Sequence, residues 1–140
     1  MLEHYRTDAA VAVPETHRPP PLQPADARSA VRGAVAKRAT AYAATGLDDA
    51  LLVTSELATN AILHGGGITG FDVDVEGGAV RVSISDRSDE VPVAERIVDE
   101  RQRWRAGGRG WPIVCRLARD VEVAGLPCGG KRITAVVPLG

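Results

Sequence analysis

Two runs of alternating apolar and polar residues constrain the fold of this chain more than any other feature of its sequence. Residues 70–76 and 79–86 are separated only by Gly77 and Gly78. Successive side chains of a strand point to opposite faces, so each run presents one apolar face. The inward positions are Phe71, Val73, Val75, Val80, Val82 and Ile84. Because paired glycines suit a two-residue hairpin turn, the sequence predicts an antiparallel hairpin with one buried face.

Helical periodicity precedes this hairpin. Apolar residues recur at helical spacing over residues 25–44, with basic residues between them and Asp26 as the expected N-cap. A second helix is predicted from Asp48 to His64, with Gly46 as the stop before it and the glycines 65–67 as its end.

A third helix and a second hairpin are predicted near the end of the sequence. Pro112 fits the first turn of a helix from Trp111 to about Arg119. The hairpin pairs residues 121–124 with 132–137 around a glycine-rich turn. The order helix, helix, strand, strand, helix, strand, strand predicts an α+β fold, a two-layer α/β sandwich.

Composition narrows the classes of function. Residues 1–24 contain a proline cluster and are predicted to form an extended lead-in to a domain over 25–140. With 17 Lys and Arg against 18 Asp and Glu, the chain lacks a basic excess, so we expect no direct binding to nucleic acid. No window approaches the roughly 18 apolar residues of a membrane helix, and no signal peptide is evident. We expect a cytoplasmic protein with no membrane partner.

The cysteine and histidine residues support the same location and argue against zinc. Cys115 and Cys128 form no Cys-x-x-Cys pair and are interpreted as reduced thiols. None of the three histidines lies at ligand spacing from another histidine or cysteine.

Three polar residues of the second predicted helix form the first candidate site. Glu56, Asn60 and His64 lie one helical turn apart and project from one face, opposite Leu57 and Ala61. A carboxylate one turn from a carboxamide, ahead of a glycine-rich loop, suits a hydrated Mg²⁺ and an adjacent hydroxyl. The alternative is a solvated helix face with His64 near the negative end of the helix dipole.

Two later segments are also candidates. Asp86 ends an apolar strand, where a carboxylate requires hydrogen-bond donors unless it only caps the turn. Residues 107–110 precede a helix start suited to phosphate, and nearby arginines add positive charge, although a solvated loop has the same composition. The P-loop-like stretch from Gly125 to Lys131 is interpreted as a hairpin turn, because Arg132 replaces the required Ser or Thr.

The order of these motifs resembles the GHKL ATPase superfamily. The match lies in Glu56-Leu57-Ala58-Thr59-Asn60-Ala61-Ile62-Leu63-His64-Gly65, then Asp86, Gly108-Arg109-Gly110 and Gly130-Lys131-Arg132-Ile133-Thr134. It covers about residues 25–138, and its short form is similar to the anti-sigma factor serine kinases. The resemblance implies a Bergerat-type ATP-binding fold, a mixed, mostly antiparallel sheet with helices on one face. It also implies ATP and Mg²⁺ as cofactors.

The resemblance further implies a role for each matched residue. Asn60 would bind Mg²⁺, and Glu56 would act as the catalytic base. Asp86 would accept a hydrogen bond from the adenine amino group, with Thr134 supporting adenine beside it. The positions that would meet the phosphates are Gly108, Arg109 and Gly110.

The resemblance also implies partners: a serine or threonine on an anti-anti-sigma protein of the STAS type as substrate, a sigma factor held on another face, and a possible homodimer. The sequence departs from the family at the usual Asp-x-Gly-x-Gly, which is Asp86-Arg87-Ser88-Asp89-Glu90 here. Without these glycines the backbone comes less close to the base, which predicts weak or partner-dependent nucleotide binding. Two alternatives remain, a non-catalytic ATP-dependent binding module and a nucleotide-free interaction domain.

Overall fold

Three helices and a four-stranded sheet make up the residues that the structure, a computed structural model, describes: 23–39, 41–90 and 110–140. The elements are α1 (Pro24–Arg38), α2 (Ala44–His64), β1 (Ile68–Glu76), β2 (Ala79–Asp86), α3 (Gly110–Leu117), β3 (Asp120–Gly125) and β4 (Lys131–Pro138). Their order is the predicted one, and the α+β class is confirmed. The predictions for the lead-in and for the arginine-rich stretch fall largely outside the described residues.

The strand order is β1-β2-β4-β3, and every pairing among the described strands is antiparallel. Gly77 and Gly78 connect β1 to β2 with φ values of 62° and 75°, as the predicted hairpin turn requires. The stretch after Gly125 connects β3 to β4, which confirms that the P-loop-like sequence is a hairpin turn. Since β4 lies beside β2, the register places Lys131 opposite Asp86.

One face of the sheet carries the apolar core. Buried side chains of β2 and β4 meet buried side chains of α1 and α2, which produces the predicted two layers. The buried side chains of these four elements include Val31, Val35, Val53, Leu57, Val80, Val82, Ile84, Ile133 and Val137. The opposite face of β2 carries Arg81 and Ser83, so polar residues line the uncovered side. No helix of the described residues is long and apolar enough to cross a membrane.

The boundaries of the first two helices differ from the prediction at Asp26 and at Gly46. Gln23, not Asp26, is the N-cap of α1, because Pro24 takes the first helical position. Asp26 instead lies in the first turn, where its Oδ2 accepts a hydrogen bond from the Gln23 backbone amide at 3.2 Å. α1 also ends at Arg38, and α2 already begins at Ala44. Gly46 therefore lies inside α2 and does not stop a helix.

Tertiary packing explains the glycine at position 46. The Ala43 amide donates to the Leu139 carbonyl at 2.8 Å, which ties the start of α2 to the end of the chain after β4. A Cβ atom at Gly46 would overlap that same carbonyl group. The residue gives the backbone room for a close approach.

Gly46→Ala is therefore expected to lower the free energy of unfolding by about 1–3 kcal/mol, the usual cost of overpacking. Gly33→Ala is the matched control, because Gly33 is also inside a helix but a Cβ atom there would meet no other atom within 4 Å. That substitution is expected to raise the free energy of unfolding by about 0.5–1 kcal/mol through helix propensity. Urea unfolding of both variants measures the difference; a stabilising effect at both positions would contradict the packing role of Gly46.

Candidate nucleotide-binding site

Helix α2 carries the first two candidate residues at the edge of the core. Glu56 and Asn60 are half-buried, whereas His64 at the end of the helix is exposed. On the other side of the helix, Leu57 and Ala61 are buried against the sheet. The predicted division of α2 into an apolar face and a polar face is confirmed.

The start of α3 meets this polar face. Gly110 is the first residue of α3 and is buried. A Cβ atom there would overlap Oε1 of Glu56, so the glycine allows the helix start to lie directly against the carboxylate. A helix N-terminus presents unpaired amides and a partial positive charge, which favours nearby anions. Gly108 and Arg109, the other two predicted phosphate contacts, lie outside the described residues.

Asp86 lies at the same end of the fold, but its carboxylate already has a partner. Lys131 Nζ donates to both Oδ1 and Oδ2 of Asp86 at 3.0 Å. The two side chains retain only 6% and 8% of their exposure, for Asp86 and Lys131 respectively. A buried carboxylate is costly without donors, and Lys131 supplies them. The motif pattern gives Lys131 no role beyond the predicted turn, so sequence reasoning missed this contact.

The residues after Asp86 form a compact turn built on side-chain hydrogen bonds. The Ser88 amide donates to Asp86 Oδ1 at 2.9 Å, and the Glu90 amide donates to the Ser88 hydroxyl at 3.0 Å. The Gly130 amide donates to Asp89 Oδ1 at 2.9 Å. Asp and Ser side chains are suited to such local bonds. Through them, the segment that lacks the family's glycines is held against the β3–β4 turn.

Two glycines allow neighbouring backbone segments to lie directly against Asp86. A Cβ atom at Gly65 would overlap the Asp86 carboxylate, and one at Gly130 would overlap the Asp86 carbonyl. Gly130 also has a φ of 89°, which L side chains rarely adopt. The Arg87 amide donates to the Gly65 carbonyl at 2.9 Å. The end of α2 and the end of β2 are thereby joined, which brings the α2 site and Asp86 to one end of the sandwich.

Thr134 lies away from Asp86, so the expectation that it supports adenine beside Asp86 is wrong. It pairs with Ser83 in the sheet, and the two hydroxyl oxygens are 2.8 Å apart. Ile133 and Ala135 on either side of it face the core, so Thr134 faces the uncovered side of the sheet. Lys131 is the β4 residue whose side chain reaches Asp86.

The residues at this end of the sandwich suit the phosphates of a nucleotide better than its base. Glu56 provides a carboxylate, Asn60 an amide oxygen, and the start of α3 the positive end of a helix dipole, which together suit Mg²⁺ and phosphate. Among the described residues, no three His, Cys, Asp or Glu side chains are grouped to hold a metal alone, so Mg²⁺ there would need water or phosphate oxygens as well. At the base end, Lys131 donates to both oxygens of Asp86, so an adenine amino group would have to compete with the ammonium for this carboxylate.

A protein family matches this chain over most of its length. A search of curated proteins finds no match. A family model described as histidine kinase-like ATPase domain matches residues 20–136, which include every residue of the site described above. This match confirms the resemblance to the GHKL superfamily, and a three-helix, four-strand α+β sandwich is consistent with that fold. The chain belongs to the histidine kinase-like ATPase domain family.

Proposed function

We propose that this domain is an ATP-binding regulator of the anti-sigma factor type with serine/threonine kinase activity. Its substrate would be a small anti-anti-sigma protein of the STAS type in the cytoplasm, and a sigma factor would bind another face. The observation that supports a catalytic role is the position of Glu56, which lies half-buried against the first residue of α3 and one turn from Asn60.

The chemistry required of these residues is modest. Phosphoryl transfer depends on positioning and charge neutralisation more than on covalent catalysis. ATP bound with Mg²⁺ would supply the γ-phosphoryl group to the hydroxyl oxygen, and ADP would be the leaving group. The Glu56 carboxylate accepts the proton of a serine or threonine hydroxyl, and the Asn60 amide oxygen is a suitable Mg²⁺ ligand. The positive end of the helix dipole at the start of α3 offsets negative charge near Glu56.

Phosphorylation would act as a switch between the two partners. A phosphoserine carries about −1.5 to −2 charges at neutral pH, which disfavours an interface that the neutral hydroxyl tolerates. The phosphorylated anti-anti-sigma protein would leave, and the regulator would then be free to hold the sigma factor.

The proposal is tested by incubating the full chain with γ-labelled ATP, Mg²⁺ and an anti-anti-sigma protein from the same organism. Label on a serine or threonine of that protein is the expected result, and Asn60→Ala is expected to abolish it. Leu52→Ala is the matched control on α2, because Leu52 is 41% exposed and outside the site. Absence of label on a protein that demonstrably binds the chain would refute the kinase.

A second function is ATP-dependent partner binding without transfer, in which the partner strengthens the weak ATP binding that the closed pair of Asp86 and Lys131 implies. It predicts that ATP changes the affinity for the partner although no label is transferred. Asn60→Ala would remove the effect of ATP on partner binding, whereas Leu52→Ala would not.

A further inference from the structure

We infer that Lys131 determines the nucleotide affinity of this domain by occupying Asp86, so that base binding requires the pair to open. The inference rests on the proposed nucleotide binding and concerns a residue to which neither the motif pattern nor the family match assigns a role. Its basis is the hydrogen bonding and burial around the Lys131 ammonium.

The donors of Lys131 are all directed into the protein. A lysine ammonium has three N–H donors and no acceptor. Two bonds go to the Asp86 oxygens at 3.0 Å, and a longer contact of 3.4 Å goes to the Ser88 carbonyl. Lys131 therefore has no donor left to bind a base, and its role is to block Asp86 and not to recognise adenine.

The acceptors of Asp86 are equally engaged. Oδ1 accepts from Lys131 and from the Ser88 amide, and Oδ2 accepts from Lys131. The Gly65 backbone covers the carboxylate closely enough that a Cβ there would overlap it. Oδ2 could accept a second hydrogen bond, but the Asp86 side chain is only 6% exposed and lies against Gly65, so an adenine amino group can reach it only by displacing the ammonium.

The turn that follows Asp86 holds the closed arrangement in place. Asp89 binds the amide of Gly130, which directly precedes Lys131 in the chain. This hydrogen bond joins the segment after Asp86 to the segment before Lys131, so it opposes the separation of the two side chains. This combination predicts weak ATP binding by the wild-type chain, in addition to the effect of the missing glycines.

The experiment is calorimetric titration of the full chain with Mg²⁺-ATP, comparing wild type with Lys131→Met and Lys131→Gln. Removal of the ammonium leaves the Asp86 carboxylate available for a hydrogen bond from the adenine amino group. This is expected to increase ATP affinity at least about tenfold. Lys131→Gln keeps one neutral donor for Asp86 and serves if the methionine variant is unstable. Arg132→Met is the matched control, because Arg132 is the adjacent basic residue and bonds to Ser85 on the other face of the sheet. It is expected to leave affinity unchanged.

A thermal melting series gives a second measurement that does not depend on catalysis. Saturating Mg²⁺-ATP is expected to raise the Tm of the Lys131 variants more than that of wild type, since adenine then supplies the donor that Asp86 has lost. If both variants are unfolded without nucleotide, ATP is expected to restore their fold. Failure of ATP to do so overturns the inference.

The other outcomes separate this inference from the proposed function. Equal ATP affinity in wild type and variants overturns the role of Lys131 but leaves ATP binding intact. Lower affinity in the variants overturns it also, and makes Lys131 a recognition group. If neither wild type nor the Lys131 variants bind ATP, both the inference and the proposed ATP-dependent function fail.

Discussion

Either Asp86→Leu or Lys131→Met alone is expected to lower the free energy of unfolding by about 3–5 kcal/mol, which is a large fraction of the stability of a domain this size. Each single change leaves one charge without its partner. The side chains are 6% and 8% exposed, so water cannot replace the missing bond at low cost. Urea unfolding monitored by circular dichroism measures both effects.

The double variant Asp86→Leu/Lys131→Met distinguishes the cost of an orphaned charge from the net value of the pair. It is expected to recover most of the lost stability, because apolar residues of similar volume often replace a buried ion pair without loss. Additive losses in the double variant would show that other contacts of these side chains dominate.

The ion pair of Arg38 with Asp74 is the matched control. Its atoms approach to 2.7 Å, closer than in the buried pair, but the side chains are 55% and 40% exposed. Solvent and side-chain entropy reduce such pairs to at most about 1 kcal/mol. Arg38→Met is therefore expected to have a small effect, and a loss as large as that of Lys131→Met would contradict the role assigned to burial.

Local patterns in the sequence were sufficient to predict the order of elements and both hairpins. Alternation from 79 to 86 is a property of neighbouring residues, and the Gly77-Gly78 turn needs no distant partner. The spacing of Glu56 and Asn60 likewise follows from the helix alone. Each of these features depends only on residues that are close together in the sequence.

Features that depend on distant contacts could not be predicted in this way. Gly46 resembles a helix stop, but its role comes from the Leu139 carbonyl, almost at the end of the chain. Lys131 meets Asp86 only because β4 lies beside β2, with a register that the sequence does not specify. Thr134 is different, because it lies between the apolar residues Ile133 and Ala135, so strand alternation alone puts it on the opposite face. At this position strand alternation predicts the observed face, whereas the family resemblance places the hydroxyl beside Asp86.

Glu56→Gln is expected to slow phosphoryl transfer to the partner protein by about 10²–10⁴-fold, the range for loss of a general base. The amide keeps the size of the side chain and its place beside Gly110, but it cannot accept the hydroxyl proton. Initial rates with γ-labelled ATP and a phosphorylatable partner measure this effect. ATP affinity, measured by calorimetry, is expected to change little.

The matched control for this substitution is Glu76→Gln, an exposed glutamate at the end of β1. It changes the net charge equally and is expected to leave the transfer rate unaltered. Gly110→Ala adds a structural comparison, because its Cβ would displace the Glu56 carboxylate while leaving its chemistry intact. A slow Gly110→Ala variant with a normal Glu56→Gln variant would mean that the start of α3, and not the proton acceptor, limits transfer. Loss in both variants would support a base whose position is set by α3.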